Sequence, residues 1–295
     1  VVTWGSSSSG GDSASVADQL SGVQSIAATA TAFAAVKADG TVVTWGHSYY
    51  GGDSASVANQ LIGVKSISAT SGAFAAIKVD GSVVMWGYAN SGAESSASVA
   101  SQLIGVQSIA ATHSAFAAIK ADGSVVTWGF FDNGANNIPL PDRLTNVQSI
   151  STTDRAFAAI KADGSVVTWG NSSSGGDSHA VAELTEVQTI SATPYTFAAI
   201  RGDGSVVTWG SPIFVRDTRV VVAELSQVQS ISATRHAFAG IKDDGSVVTW
   251  GDADVGGDSS VVAAQLTQIQ SISATDYTFA AIKDDGSVVV WGNPS

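Results

Sequence analysis

The chain has 295 residues, of which 44% are apolar and 13% are charged, and its formal net charge is −12. This composition excludes an intrinsically disordered chain, which needs low hydrophobicity and high charge, and the acidic balance argues against nucleic-acid binding, which normally uses a basic patch. The absence of cysteine excludes disulfides, thiol catalysis and cysteine-bound metals, and because no apolar run approaches ~18 residues we expect no insertion into a membrane.

A Trp-Gly pair recurs along the whole chain and defines a repeat. Successive tryptophans are 40 to 42 residues apart, at Trp4, Trp45, Trp86, Trp128, Trp169, Trp209, Trp250 and Trp291. Self-similarity at such a period is the signature of a repeat architecture. Because seven intervals fill the chain, we predict one domain that spans residues 1–295.

Each repeat contains three predicted strands, which the fourth repeat illustrates. Val147–Thr153 alternates apolar and polar residues, as a half-buried strand does, and Ala156–Lys161 is a short apolar run. Ser165–Gly170 is β-branched and aromatic, a composition that favours strands. The pair Asp163-Gly164 predicts a hairpin with a tight primed turn, in which glycine supplies the positive φ. The Gly-, Ser- and Asp-rich segment after Trp-Gly predicts a loop with a helical turn or a short fourth strand.

The repeat predicts an all-β fold, a seven-bladed β-propeller with about 41 residues per blade and a ring closed by pairing of the N- and C-terminal strands. A β-solenoid is the main alternative, but its coils are usually shorter. Eight Trp-Gly pairs for seven blades leave one terminal copy in surplus. We expect Val1–Gly5 to pair as the closing strand with the blade that contains Phe279, and Val288–Gly292 to lie displaced at the edge of that blade or to take a neighbouring position. A slice cut from a longer repeat array would explain the surplus equally well.

The VVTWG strand, the Asp-Gly hairpin and the VQSISAT-x-x-AFAAIK strand pair resemble repeats of the regulator of chromosome condensation type over the whole chain. The spacing is also similar to that of propeller-type β-lactamase inhibitors. The resemblance implies a seven-bladed propeller that serves as a protein-binding platform, in some members as an exchange factor for a small GTPase. This chain is acidic, lacks a basic tail and has Phe-Ala-Ala where the family commonly has His-Ser-Leu, so neither GTPase exchange nor chromatin binding carries over.

Two windows of each repeat vary while the rest hardly changes. One is the dipeptide before the Phe strand, and the other is the stretch after Trp-Gly. In an antiparallel meander both windows lie at one end of the sheet and the Asp-Gly turns at the other. Tyr and Arg are typical interface anchors, and loops on a rigid scaffold commonly carry recognition. We therefore predict a partner-binding face that contains His47, Tyr49, Tyr50, Tyr88, His113, Phe130, Phe131, Asp154, Arg155, Tyr195, Phe214, Arg235, His236, Asp276 and Tyr277. Unconstrained drift of exposed loops is the alternative.

No nucleophile–base pair is visible, so we predict a non-catalytic protein without a cofactor that binds a protein partner, as a scaffold, an accessory subunit or an inhibitor-like partner. A lectin-like propeller is the alternative function, although its pockets would repeat the same residues and these windows differ. Zinc at His113 and His236 and calcium at Asp252–Asp258 are lesser alternatives, because exposed turn histidines and solvated Gly-Asp turns explain the same residues.

Overall fold

A computed structural model describes residues 1–94, 97–135, 144–211, 213 and 225–293. The described residues form seven three-stranded antiparallel sheets, each made of strands that are consecutive in the sequence. The chain divides into two compact units, Val1–Ile150 and Ser151–Ser295, and the strand Val147–Thr152 contains the border between them. The expectation of a single domain over residues 1–295 stays a prediction.

The first unit holds the first three sheets. Their strands are β1 (Val23–Ala28), β2 (Ala32–Lys37) and β3 (Val42–Gly46), then β4 (Val64–Ala69), β5 (Ala73–Lys78) and β6 (Val83–Gly87), then β7 (Val106–Ala111), β8 (Ala115–Lys120) and β9 (Val125–Gly129). Short 3₁₀ helices occupy Ser7–Ser9, Ala14–Gln19, Ser48–Tyr50, Ala55–Gln60, Ala89–Ser91 and Phe131–Asn133, and one α-helical turn, α1, spans Ala97–Ala100. In this unit the described part of the segment after each Trp-Gly pair is thus a loop with helical turns, which was one of the two expectations.

The second unit holds the other sheets. Their strands are β10 (Val147–Thr152), β11 (Ala156–Lys161) and β12 (Val166–Gly170), then β13 (Val187–Ala192), β14 (Thr196–Arg201) and β15 (Val206–Gly210), then β16 (Val228–Ala233), β17 (Ala237–Lys242) and β18 (Val247–Gly251), then β19 (Ile269–Ala274), β20 (Thr278–Lys283) and β21 (Val288–Gly292). Its 3₁₀ helices are Ser172–Ser174, Ser178–Val181, Ala253–Val255 and Ser260–Gln265. In the part of the chain that the structure describes, no helix has the length and apolar character to cross a membrane.

The Asp-Gly hairpin is confirmed, but its turn differs from the primed turn expected. The Gly164 amide donates to the Lys161 carbonyl (2.9 Å), and the Asp163 carboxylate accepts from the amide of Ser165 (3.0 Å) and from its hydroxyl (2.5 Å). Only Gly164 has a positive φ, at 75°, whereas both central residues of a type I′ turn would. The reason is the Asp side chain, which bonds two residues ahead and so stabilises a three-residue loop that ends in a left-handed glycine. The hydrogen bond from the Ser165 hydroxyl, and secondly the one from its amide, lower the pKa of Asp163.

Neighbouring sheets within a unit pack small residues against aromatic ones. Ala34 of the first sheet lies in one cluster with Phe74 and Trp86 of the second sheet and with Leu61 of the connecting loop. The Phe74 and Trp86 rings stack across β5 and β6 with centroids 5.1 Å apart. The Trp86 indole donates to the carbonyl of Gly51, in the loop that follows the first sheet (3.0 Å). The recurring Trp therefore fills the space between adjacent sheets, as its place in the repeat indicates.

The prediction about the closing strand is wrong. Val1–Gly5 forms no strand, and the sheet that contains Phe279 is completed by β21, which is Val288–Gly292. The physical reason is chain connectivity, because β21 follows β20 through a tight hairpin and pairs at little cost in loop entropy. Trp4 is consequently 82% exposed, while the other seven tryptophans are at most 4% exposed.

Candidate partner-binding face

The two variable windows lie side by side at one end of each sheet. The amide that follows Trp-Gly donates to the carbonyl of the second dipeptide residue in all seven sheets, as from Tyr88 to Gly72 (2.8 Å) and from Asp252 to His236 (3.1 Å). The Asp-Gly turns join the opposite ends of the same strands. The deduction from strand order is confirmed, and we call the residues of the two windows the rim.

Four aromatic side chains of the first unit form what we call the tyrosine cluster, His47, Tyr49, Tyr50 and Tyr88. Tyr49 lies 5.5 Å from Tyr50 and 4.9 Å from Tyr88, and His47 lies 5.0 Å from Tyr50, between ring centroids. Tyr49 is 58% exposed, whereas Tyr50 and Tyr88 are half-buried. The cluster joins the loops of two adjacent sheets, and its mutual packing fixes the exposed Tyr49 ring in place.

Gly72 is part of this cluster, although sequence reasoning missed it. A Cβ at Gly72 would lie 2.9 Å from Cδ1 of Tyr50, so any larger residue would push that ring away. The signal was present in the sequence, because the second dipeptide residue is glycine only in this repeat.

The third loop of the first unit adds exposed aromatic surface. Phe130 and Phe131 are 45% and 66% exposed, and His113 is exposed in the adjacent dipeptide. The His113 carbonyl accepts from both the amide (2.9 Å) and the hydroxyl (2.8 Å) of Ser71 in the neighbouring sheet. These hydrogen bonds to the backbone thus fix the dipeptides of the second and third sheets next to each other.

The second unit carries what we call the arginine cluster, Tyr195, Arg235, His236 and Tyr277, from three consecutive sheets. The Tyr195 and His236 rings stack with their centroids 5.5 Å apart. The pKa of Arg235 is raised mainly by a hydrogen bond to Tyr195 and secondly by one to Tyr277. The Arg235 amide donates to the carbonyl of Asp276 (3.0 Å). The guanidinium is exposed but oriented by two phenols, which lowers the entropy it loses on pairing with a partner.

The remaining predicted residues of the face are placed as follows. Asp154 and Arg155 are exposed in the dipeptide of the fourth sheet, and the Asp154 amide donates to the Pro194 carbonyl (3.0 Å). Phe214 lies outside the described residues. The structure brings the predicted residues into two clusters and several single exposed positions.

The acidic stretch Asp252–Asp258 is used for local capping. The Asp252 carboxylate accepts from the amide of Asp254 (3.0 Å), and Asp258 accepts from the amide of Ser260 (2.8 Å). Among the described residues, no three His, Asp or Glu side chains come together in a manner that would hold a metal ion. The geometry therefore gives the calcium and zinc alternatives no support.

His236 is a titratable residue of the rim whose side chain is half-buried. Partial burial and then the charge of Arg235 lower its pKa from 6.5, against the opposing pull of Asp252 and Asp276. The folded protein thus binds fewer protons than the unfolded chain, so the stability that the neutral imidazole contributes is present above pH 6.5 and is lost as the pH falls from 6.5 through the folded-state pKa.

We expect Arg235→Gln to raise the pKa of His236, because the substitution removes a positive charge that disfavours the imidazolium. The measurement is an NMR titration of the imidazole protons in both proteins. Arg155→Gln, which removes the equivalent charge two sheets away, is the matched control and should leave the midpoint unchanged. An unchanged midpoint in Arg235→Gln would mean that the guanidinium does not act on this ring.

No family model matches the chain, and no curated protein matches it. Solved structures do. The ectodomain of the receptor kinase CR4 from Physcomitrella patens is 17% identical with a TM-score of 0.50, over 92% of this chain and 74% of that one. The CRINKLY WD40 ectodomain of the receptor kinase ACR4 from Arabidopsis thaliana is 17% identical with a TM-score of 0.47, over 92% and 98%. Prp20p from Saccharomyces cerevisiae, characterised with its binding to Gsp1p and histones, is 16% identical with a TM-score of 0.49, over 94% and 73%. Likeness at such identities shows the fold alone.

Proposed function

The chain has the fold of a seven-bladed β-propeller, and from this premise we propose that it is a non-catalytic protein-binding module that uses the rim. The observation that carries the proposal is the exposure of large aromatic side chains in the loops. Tyr49, Phe130 and Phe131 are each at least 45% exposed, whereas the Phe at the repeated core position is fully buried in most sheets. Aromatic and Arg side chains held in this way are the usual anchors of interfaces.

The asymmetry of the rim supports a protein partner over a carbohydrate. The tyrosine cluster and the arginine cluster hold different residue types, whereas a multivalent lectin would repeat a single pocket in each sheet. The net charge of −12 favours a partner with a basic surface, because complementary charge speeds association. Within this function, a role as scaffold, accessory subunit or inhibitor-like partner fits the rim equally.

We expect Tyr49→Ala combined with Phe131→Ala to reduce recovery of the native partner at least about tenfold, because loss of two anchors costs more than ~1.4 kcal/mol of binding free energy. The measurement is quantitative affinity capture from the native source with wild-type and variant bait. Both side chains are mostly exposed, so the fold is expected to persist, and its melting temperature is the check.

Val79→Ala is the matched control for this experiment, because Val79 is 78% exposed but lies in an Asp-Gly turn at the opposite end of its sheet. It should recover the partner as wild type does. Equal recovery by all three baits would contradict the use of the rim. Binding to immobilised glycans with the same loss in the Tyr49/Phe131 variant would support the lectin alternative instead.

A further inference from the structure

The third strand of the first sheet, β3, has main-chain groups that point away from its own sheet. The strand order is β1-β2-β3, so β3 pairs on one side only. The Lys37 amide donates to the Thr41 carbonyl (2.9 Å), and bonded pairs alternate with unbonded pairs along an antiparallel ladder. The amides and carbonyls of Val42 and Thr44 therefore face away from β2, and in the described part of the chain no backbone group bonds to them.

Two short helices flank this edge. Val16, in the 3₁₀ helix before β1, packs on the face of the sheet that carries Val43. Val57, in the 3₁₀ helix after β3, packs on the opposite face, which carries Val42. The Thr44 hydroxyl lies 3.0 Å from the hydroxyl of Ser54, just before the second helix. The edge of β3 is thus bordered on both sides by structure that is fixed to its sheet.

A cleft of about 600 Å³ runs along the edge between these helices. All five residues of β3 line it, together with Val16 and Gln19 from one helix and Ala55 and Ala58 from the other. This volume lies within the range of ~300–1,000 Å³ that is usual for binding clefts. The edge strand is therefore accessible along its whole length from a site that is large enough to hold another chain segment.

The fifth sheet shows that the edge of a third strand accepts a further main chain. Val206 holds the position of Val42 in that sheet, and its amide donates to the carbonyl of Leu225 (3.1 Å). Blades of β-propellers typically contain four strands, whereas each of the described sheets contains three. The cleft beside β3 thus offers the hydrogen-bonding groups and the space of a fourth strand.

The walls of the cleft are small and acidic. Ala55 and Ala58 are exposed and leave room for the side chains of an added strand. Asp53 is exposed and also lines the cleft. It lies at the Gly46 end of β3, because the amide of the preceding glycine donates to the His47 carbonyl (3.0 Å). A strand antiparallel to β3 starts at that end, so a basic residue near its N-terminus would face this carboxylate.

We propose that the cleft beside β3 binds an extended segment of a protein partner as a fourth, antiparallel strand. Its main chain bonds to the outward groups of Val42 and Thr44, and a Lys or Arg near its N-terminus pairs with Asp53. Main-chain bonds supply the affinity in this mode of recognition, and alternate side chains supply the specificity. The site uses the core strand and the helices and not the variable windows, so it does not rest on the function proposed for the rim.

Amide hydrogen exchange followed by NMR tests the proposal, with the synthetic peptide acetyl-KTVSVT-amide as the probe. In the free protein the Val42 and Thr44 amides should exchange faster than those of Val43 and Trp45, which bond to β2. An excess of peptide about tenfold above its dissociation constant should slow exchange at Val42 and Thr44 by about tenfold. Two peptides N-methylated at alternate amides are the controls, and only the one methylated on the amides that face β3 should lose binding.

Variants of the protein locate the site. Ala58→Phe fills the cleft and should weaken peptide binding at least about tenfold. Ala17→Phe, at the same position of the preceding repeat but outside the residues that line the cleft, should not. The Tyr49→Ala/Phe131→Ala variant should bind the peptide as wild type does, so failure of this site and failure of the rim are distinguishable.

Three results would overturn the proposal. The first is slow exchange at Val42 and Thr44 in the free protein, which would mean that the edge is already paired. The second is unchanged exchange at these amides in the presence of excess peptide. The third is slowing that depends on the protein concentration alone, which would identify a second copy of the chain as the occupant.

Discussion

Trp86→Ala should lower the free energy of unfolding by about 3–5 kcal/mol, whereas Trp4→Ala should change it by no more than about 0.5 kcal/mol. The Trp86 side chain is 3% exposed, stacks on Phe74 and donates to the carbonyl of Gly51. Its removal leaves a cavity between two sheets and an unpaired carbonyl. Trp4 occupies the same position of the repeat but is 82% exposed, so its replacement by alanine removes few buried contacts and costs little stability.

Denaturant unfolding of the two variants, followed by circular dichroism, measures this difference. The comparison is matched in residue type and in sequence context, since both tryptophans lie between Thr or Met and Gly. Losses of equal size would show that Trp4 is buried in solution, and would restore the expectation that Val1–Gly5 closes a sheet.

Gly51→Ala is expected to cost about 2–4 kcal/mol of stability, the second-largest effect. Gly51 has a φ of 99°, and a Cβ there would lie 2.6 Å from Cδ2 of Phe74. A left-handed conformation costs a residue with a side chain about 1–2 kcal/mol, and overpacking against a buried ring adds about 1–3 kcal/mol.

Gly105→Ala separates these two contributions. Gly105 also has a left-handed φ, 68°, but nothing lies within 4 Å of the position its Cβ would take. The Gly105→Ala variant should lose only about 1–2 kcal/mol of stability, because it has the cost of the left-handed backbone conformation without the cost of overpacking. Combining Gly51→Ala with Phe74→Leu should restore part of the loss in a double-mutant cycle. If the two glycine variants were equally destabilised, the contact between Gly51 and the ring would contribute nothing.

The repeat predicts most of the fold because the residues that specify each three-stranded sheet lie within a single repeat. Strand composition, the Asp-Gly pair and the 41-residue period specify the hairpins, and the observed pairing of Phe157 with Trp169 follows from the hairpin. The turn type was missed because the side chain of Asp163 competes with the backbone pattern that Asp-Gly alone suggests.

The terminal strands could not be assigned from sequence, because Val1–Gly5 and Val288–Gly292 are nearly identical. Their roles differ through connectivity, which composition does not record. Likewise, strand order places the variable residues at one end of each sheet, but it does not reveal that a side chain at position 72 would displace the Tyr50 ring, or that Arg235 lies between two phenols. Such contacts depend on side-chain directions across two or three repeats.

The bond from each indole to a glycine carbonyl spans only 34 to 36 residues wherever it is observed, for example from Trp86 to Gly51 and from Trp209 to Gly175. Each of these bonds ties a repeat to the one before it. A duplication or deletion of one whole repeat would leave the corresponding hydrogen bonds of the other repeats unchanged. The length of such an array can therefore change in a single genetic event, and its loops can diversify afterwards while the core stays constant.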